Sequence, residues 1–324
     1  MPDLQPAPPL TPQLSDWQQT LRDALHHPVK DQPYSALIRR QAPTAFVFLV
    51  DQSGSMDEPT TYRGQSLSKA RAVAQIINQT LLELVLRCQK GDDVRHYYDL
   101  ALIGYGGAAD DRAGLLWSGP AASRAFLSPA ELKQAVIRME ERTVKRTVRG
   151  RTLTVTEQRP VWLDAVHRYR TPMRSAIDLA GAILRPWLAE RAGQDVYPPT
   201  VINVTDGLAT DATPDELLAS CERLRQLRTL DGPVLLMNIH VADERGRAVR
   251  FPSTAAELGD DPHARLLYDM SSEMPRPYHA DIAGLFGLDQ RSRYVGMCSN
   301  ADMDALVRFM NIGTPTQRFN PDPP

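Results

Sequence analysis

Five consecutive apolar residues, Phe46 to Val50, run into a carboxylate, and hydroxyls follow it at alternate positions: Phe-Val-Phe-Leu-Val-Asp51-Gln-Ser53-Gly-Ser55. No other stretch restricts the fold as tightly. An unbroken β-branched and aromatic run has no polar face, so it fits a strand buried on both sides, as in a parallel sheet covered by helices. Gly54 frees the backbone to curl, so the oxygens of Asp51, Ser53 and Ser55 can converge instead of alternating across a strand. Convergent hard oxygen donors suit Mg²⁺ or a similar cation. The carboxyl edge of an open α/β sheet is also where ligands bind.

The remaining chain alternates strands and helices. Strands are predicted over 44–50, 97–105, 114–117, 200–205, 234–241 and 294–298. Apolar residues at helical spacing predict a helix from Leu67 to Cys88. Ser128-Pro129-Ala130-Glu131 reads as a capped helix start carrying Leu132, Val136 and Met139. A helix opens at Thr171-Pro172 with Thr171 as its cap, and Pro186 should kink or split it. Another runs from Thr213 to about Thr229. Residues 242–290 read as irregular with short helices near 262–271 and 278–287, and Asn300 reads as the cap of a last helix to 312. Alternating Thr and Val around Arg149-Gly150 predict a β-hairpin inserted over about 143–157. The fold class expected is α/β: a doubly wound, mostly parallel six-stranded sheet with one antiparallel edge strand and an inserted β-hairpin. It occupies 44–312. Residues 1–43 read as a Pro-rich leader with a short helix over 14–27, and 313–324 as a tail.

A net charge of −2 over 324 residues gives no general attraction to nucleic acid or membrane. Three dispersed cysteines, Cys88, Cys221 and Cys298, form no disulfide framework and no zinc spacing. With no apolar run of membrane length and no signal-peptide pattern at residue 1, a cytoplasmic location is expected.

Three segments should meet at the carboxyl edge of the sheet: Asp51-x-Ser53-x-Ser55, Thr171, and Asp206 at the end of Thr-Val-Ile-Asn-Val-Thr. Two carboxylates and three hydroxyls, without His or Cys, suit Mg²⁺ or Mn²⁺ and not zinc. With few anionic ligands the ion stays electrophilic, so an incoming carboxylate can complete its octahedron.

Phe-Leu-Val-Asp51-Gln-Ser53-Gly-Ser55-Met, Arg-Thr171-Pro-Met and Asn-Val-Thr-Asp206-Gly, in that order, resemble the three motifs of a von Willebrand factor type A (VWA) domain. The resemblance spans roughly 44–312. It implies a Rossmann-like fold and a metal-ion-dependent adhesion site, with Asp51, Ser53, Ser55, Thr171 and Asp206 as ligands, directly or through water. It also implies a partner protein presenting Asp or Glu. Within the family the pattern looks like bacterial cytoplasmic members of tellurium-resistance and other stress or defence gene clusters, which implies a kinase, phosphatase or ATPase of the same cluster as partner. Two departures stand out: Arg170 where many relatives have Gly, and a long loop at 57–65.

The expected function is therefore a non-enzymatic, metal-dependent protein–protein interaction module. An alternative is Mg²⁺-dependent phosphoryl transfer with Asp51 as acceptor, although Ser53 stands where a second Asp is usual. Another is RNA binding through Arg142, Lys145, Arg146, Arg149 and Arg151 of the hairpin, which has no interleaved aromatics for stacking. Gly104-x-Gly106-x-x-Ala109 has the glycine spacing of a dinucleotide loop but no helix after it, so its glycines read as turn residues. His167, four residues before Thr171, reads as an ordinary loop histidine.

Overall fold

The computed structural model describes residues 30, 32–148, 151–241, 247–289, 291 and 293–313. The leader helix predicted at 14–27, the Arg149-Gly150 turn and the tail beyond 313 lie outside the described residues.

β1 (Thr44–Asp51) is buried along its whole length. Its side chains alternate between two cores: Phe46, Phe48 and Val50 face one, Ala45, Val47 and Leu49 the other. After β1, Ser53 leads into a single 3₁₀ turn, Gly54–Asp57, anchored by the buried Met56. The long loop predicted next is a hairpin, β2 (Pro59–Tyr62) against β3 (Gln65–Ser68). Hence α1 (Lys69–Cys88) starts after Leu67, with Ser68 as its cap.

β4 (Tyr98–Tyr105) lies parallel to β1, and β5 (Gly114–Leu115) pairs antiparallel with β4. α2 (Pro129–Gln134) has the predicted capping box but ends before Val136 and Met139. Those two belong to the approach and first turns of a hairpin longer than expected, β6 (Arg138–Val148) with β7 (Arg151–Val161). Its base is fixed by buried groups beyond the repeat that signalled it: Asn78 Oδ1 accepts from the backbone N–H of Trp162 and Leu163.

α3 (Met173–Ala189) runs through Pro186 as one helix. Pro186 lies in the last turn, and the carbonyl it leaves without an N–H belongs to Ala182, an exposed residue that water can reach. β8 (Thr200–Thr205), α4 (Pro214–Gln226) and β9 (Leu235–Val241) follow. Two residues in the stretch read as irregular form β10 (Val249–Arg250). α5 (Pro262–Met270) and α6 (His279–Phe286) match the expected short helices. β11 (Met297–Ala301) sits three residues later than predicted. α7 (Met303–Gly313) is capped by Asp302, whose Oδ1 accepts from Ala305 N at 2.7 Å, and not by Asn300, which lies in β11 with φ +50°.

The chain thus forms an α/β fold around one mostly parallel sheet of seven strands in the order β10-β11-β9-β8-β1-β4-β5. The six predicted strands are all present, and β10 makes the seventh and a second antiparallel edge. α1, α6 and α7 cover one face; α3, α4 and α5 cover the other. The chain winds outward from β1 to β4 on one side and returns through β8 on the other, so the topological switch point lies between β1 and β8. In such sheets the crevice for a ligand opens there, beyond the carboxyl ends of the strands.

Candidate metal centre

β1 and β8 end side by side, and their turns bring the predicted oxygens together. Asp51, Ser53, Thr171 and Asp206 are buried, while Ser55 is exposed. Ser55 Oγ donates to Asp206 Oδ1 at 2.7 Å and lies 3.1 Å from Ser53 Oγ. A Cβ built on Gly207 would meet Thr171 Oγ1 at 3.6 Å and Ser55 Oγ at 3.7 Å, so these two hydroxyls border the same space. Adjacent ligands of an octahedral Mg²⁺ at about 2.1 Å stand roughly 3 Å apart. The Ser53–Ser55 and Ser55–Asp206 separations match that edge, and the donor set is all oxygen, so these residues fit the ion. Among the described residues no group of three or more His, Cys, Asp and Glu side chains is placed to hold a metal.

Asp51 is fully engaged within the protein. Its Oδ1 accepts from Ser53 N at 2.8 Å and its Oδ2 from Thr205 Oγ1 at 2.7 Å. Burial pushes its carboxyl up to about 6, against the lowering effect of those hydrogen bonds. Asp51 therefore orders the β1 turn and gives the cluster negative charge.

Thr171 is placed by contacts that the sequence hides. It is not the cap of α3: Pro172 holds that position without a side-chain bond. The N–H groups of Arg174 and Ser175 go instead to Asp211 Oδ1 and Oδ2, at 3.1 and 2.8 Å. A carboxylate from the β8 side thus caps α3, and the Thr171 hydroxyl is not spent on the helix. Thr171 N donates to Thr210 Oγ1 and Thr210 N to Thr171 O, which ties this loop to the one after Asp206.

Gly106, read from the sequence as a turn glycine, sets how closely three loops approach. It has φ +85°, and a Cβ there would lie 2.3 Å from Arg170 O and 2.9 Å from Ser53 N. Only glycine fits both the backbone angle and that contact. Tyr169 N donates to Gly106 O and Gly54 N to Tyr169 O, so the segment preceding Thr171 is sewn to the serine turn. Arg170 and Tyr169 are exposed at this rim, as is Leu208. His167 is exposed and pairs with Asp57 at 3.3 Å.

Two elements were not foreseen. Lys69, the first residue of α1, is 2% exposed, and its Nζ contacts Asp206 Oδ2 at 3.2 Å and Glu58 Oε2 at 2.6 Å. Behind the Asp206 turn, His240 stacks edge-to-face on His263 with ring centroids 4.8 Å apart. Asn300 N donates to His240 Nδ1, which leaves the proton on Nε2 to be donated to Asp206 O at 3.3 Å. Burial, and after it the neighbouring His240, holds His263 down at about 4. The signal for Lys69 was faint: a lone lysine at the start of an apolar helix face.

No family model matches the chain, and no curated protein matches it. Among solved structures it is similar to a von Willebrand factor type A protein from Catenulispora acidiphila, at 16% identity and a TM-score of 0.35. That match covers 71% of this chain and 43% of the other. It is also similar to an uncharacterized membrane spanning protein from Vibrio fischeri, at 14% identity and TM-score 0.25, over 70% of this chain and 85% of that one. A third likeness is to three N-terminal domains of the type V pili tip protein Mfa5 from Porphyromonas gingivalis, at 13% identity and TM-score 0.29, over 87% and 47%. The chain therefore spans less than half the length of the first of these. At such TM-scores the likenesses decide nothing about activity, and the fold rests on the strand order itself. Among the described residues no helix is long and apolar enough to cross a membrane.

Proposed function

We propose that the protein is a non-enzymatic interaction module that holds a Mg²⁺-type ion through Ser53, Ser55, Thr171 and Asp206, with Asp51 acting on it through water, and binds an Asp or Glu side chain of a protein partner. One observation carries this reading: three hydroxyls and the Asp206 carboxylate crowd one space at the switch point, with Ser55 open to solvent. Bound there, the ion would supply a Lewis-acidic position for an outside carboxylate. The chain's own residues do the rest. Asp51 fixes the serine turn, the Asp211 cap positions the loop that carries Thr171, and exposed Tyr169 and Leu208 beside the opening offer apolar contact to what flanks the acidic residue.

Phosphoryl transfer through Asp51 is disfavoured by its setting. A nucleophilic carboxylate needs an oxygen turned to the substrate, and both Asp51 oxygens accept hydrogen bonds from within a site where the residue is 1% exposed. The partner proposed from the motif resemblance is a kinase, phosphatase or ATPase of the same gene cluster, in the cytoplasm of a bacterium and in a stress or defence system. The test is affinity capture read by mass spectrometry, with Mg²⁺ or with chelator, on the natural chain and on the Asp51→Ala, Ser53→Ala double variant. Capture should need the ion and be lost in the variant. A variant that retains full capture in Mg²⁺ sinks the reading.

A further inference from the structure

We propose that Lys69 is a tethered cation of the metal centre, which lowers its intrinsic affinity for a divalent ion and makes tight ion binding depend on an outside carboxylate. This rests on the metal-dependent reading above and names what regulates that site.

Nothing in the helix explains a lysine at this position. The first turn of a helix favours negative charge, and a cation there opposes the helix dipole. Removing an ammonium from water is costly unless carboxylates compensate it. Yet Lys69 is 2% exposed and sits at the first residue of α1, capped by Ser68. The hairpin in the long loop delivers it there. Pro59 pairs with Ser68, so the chain returns to where it left, and Lys69 N donates to Glu58 O at 2.9 Å. Lys69 and Glu58 are thereby placed side by side, and the ammonium reaches across to Asp206.

The contact is specific in its atoms. Asp206 turns Oδ1 toward Ser55 and Oδ2 toward Lys69, so one carboxylate is shared between the hydroxyl cluster and the ammonium. Lys69 therefore fixes the orientation of Asp206 and draws on its charge. In the buried part of the cluster, Asp51, Asp206 and Lys69 together carry one net negative charge, the Glu58 carboxylate on the far side of the ammonium being half-exposed and screened by water. A divalent ion converts that to one net positive charge, and a single outside carboxylate restores neutrality. Without the ammonium, the ion and two aspartates would already be neutral, and a further carboxylate would leave an excess negative charge in a partly buried site. Glu58, 57% exposed on the other side of Lys69, offsets part of the ammonium's charge.

The test is calorimetric titration of the full chain with Mn²⁺ at neutral pH, in chloride and in acetate at matched ionic strength, acetate standing for the partner's carboxylate. The natural chain should bind Mn²⁺ more tightly in acetate. Lys69→Met should bind Mn²⁺ in chloride at least about tenfold more tightly, since like charges a few ångströms apart in a partly buried site repel strongly, and should lose the acetate effect. Glu58→Gln, a change at an exposed side chain that removes one carboxylate from the ammonium and leaves its contact with Asp206, should bind Mn²⁺ more weakly and decides the matter if Lys69→Met does not fold. Equal Mn²⁺ affinity in the natural chain and Lys69→Met, an acetate effect that survives Lys69→Met, or an unchanged Glu58→Gln overturns the role of Lys69 while leaving the metal centre standing. Folded proteins that all fail to take up Mn²⁺ overturn both.

Discussion

Two buried aspartate centres sit at opposite ends of the same sheet, and they are satisfied in opposite ways. At the amino end of β4, Asp99 is surrounded by donors. His96 Nε2 lies 2.7 Å from Oδ1, and Trp187 Nε1 and an Arg191 guanidinium N–H donate to Oδ2 at 2.8 and 2.9 Å. The Arg191 guanidinium in turn stacks over the Trp187 ring at 4.1 Å. Burial works against the charge of Asp99, but the His96 and Trp187 hydrogen bonds and the charges of His96 and Arg191 outweigh it and hold the carboxyl below its ordinary value. At the carboxyl end, the hydroxyls of Thr205 and Ser55 share the two carboxylates with one backbone N–H on Asp51 and the Lys69 ammonium on Asp206, and burial leaves Asp51 above its ordinary value. A carboxylate met by nitrogen donors alone is a structural tie. Carboxylates gathered with hydroxyls, each of which keeps lone pairs, are what the proposed metal centre requires.

The sharpest way to break this contrast is to remove one aspartate from each end. Asp99→Ala leaves the Trp187 N–H without its acceptor and the Arg191 guanidinium without its buried carboxylate, and should cost about 3 kcal/mol in urea unfolding. Asp51→Asn, measured in chelator, removes a charge that burial already disfavours and should change stability by less than about 1 kcal/mol. Equal losses at the two positions would mean that the oxygen cluster is only another structural tie. The Asp99 contribution should also be pH-dependent. Its native value lies below 3.8, so the stabilisation is complete above that pH and disappears as the pH falls through the native value.

His263 sharpens the comparison from the carboxyl end. It is held neutral behind the Asp206 turn, where His240, Asp261 and Asp206 are the titratable groups around it. The unfolded chain takes up its proton near 6.5 and the native one only near 4. Stability is therefore complete above the higher value and falls by about 3 kcal/mol as the pH drops through that window. His263→Gln should flatten this slope. A slope that persists in the variant would assign the acid sensitivity of this end to other groups.

The loop junction is next in size. Gly106→Ala places a Cβ 2.3 Å from Arg170 O at φ +85°, so it should lose about 1–3 kcal/mol in thermal or urea unfolding. It should also weaken Mn²⁺ uptake, because it forces apart the loops bearing Ser53 and Thr171. Lost stability with unchanged Mn²⁺ uptake would show that the junction does not position the ligands.

These centres differ as much in how far the sequence reveals them. Asp51-x-Ser53-x-Ser55 and Val-Thr-Asp206-Gly are local patterns on strongly apolar strands, so both the strands and the candidate ligands could be read from spacing alone. The α/β class and the mostly parallel sheet followed from the alternation of strand and helix, while the strand order came only with the structure. What escaped depends on contacts distant in the chain. Asp211 caps α3 in place of Thr171. Lys69 reaches Asp206 only because β2 and β3 fold the loop back. The 138–161 hairpin outgrows its Thr/Val repeat because its base is fixed by Asn78. β10 spans two residues, too few to show any periodicity, and forms because the extended edge of β11 is there to pair with it. Polar residues inside strands were equally silent. Asn203 and Asn238 look out of place in buried strands, yet Tyr105 donates to Asn203, Asn203 to Asn238 and Asn238 to Ser271 Oγ, a buried chain of hydrogen bonds across the sheet.

A small expected change in stability comes with a large expected change in binding. Ser55 is exposed, and its hydroxyl bonds to Asp206 and approaches Ser53. Ser55→Ala removes one part-buried hydrogen bond to the Asp206 carboxylate, which keeps its contact with Lys69, and should alter unfolding by no more than about 1 kcal/mol. The same hydroxyl borders the space shared with Thr171 and supplies an oxygen that no neighbour replaces, so Mn²⁺ binding by calorimetry should fall at least about tenfold, a coordination bond being worth far more than a single hydrogen bond. A structural tie such as Asp99 cannot behave this way, because its binding partners are the fold itself. If Ser55→Ala costs several kcal/mol and leaves Mn²⁺ binding intact, the carboxyl-end cluster belongs with the amino-end one.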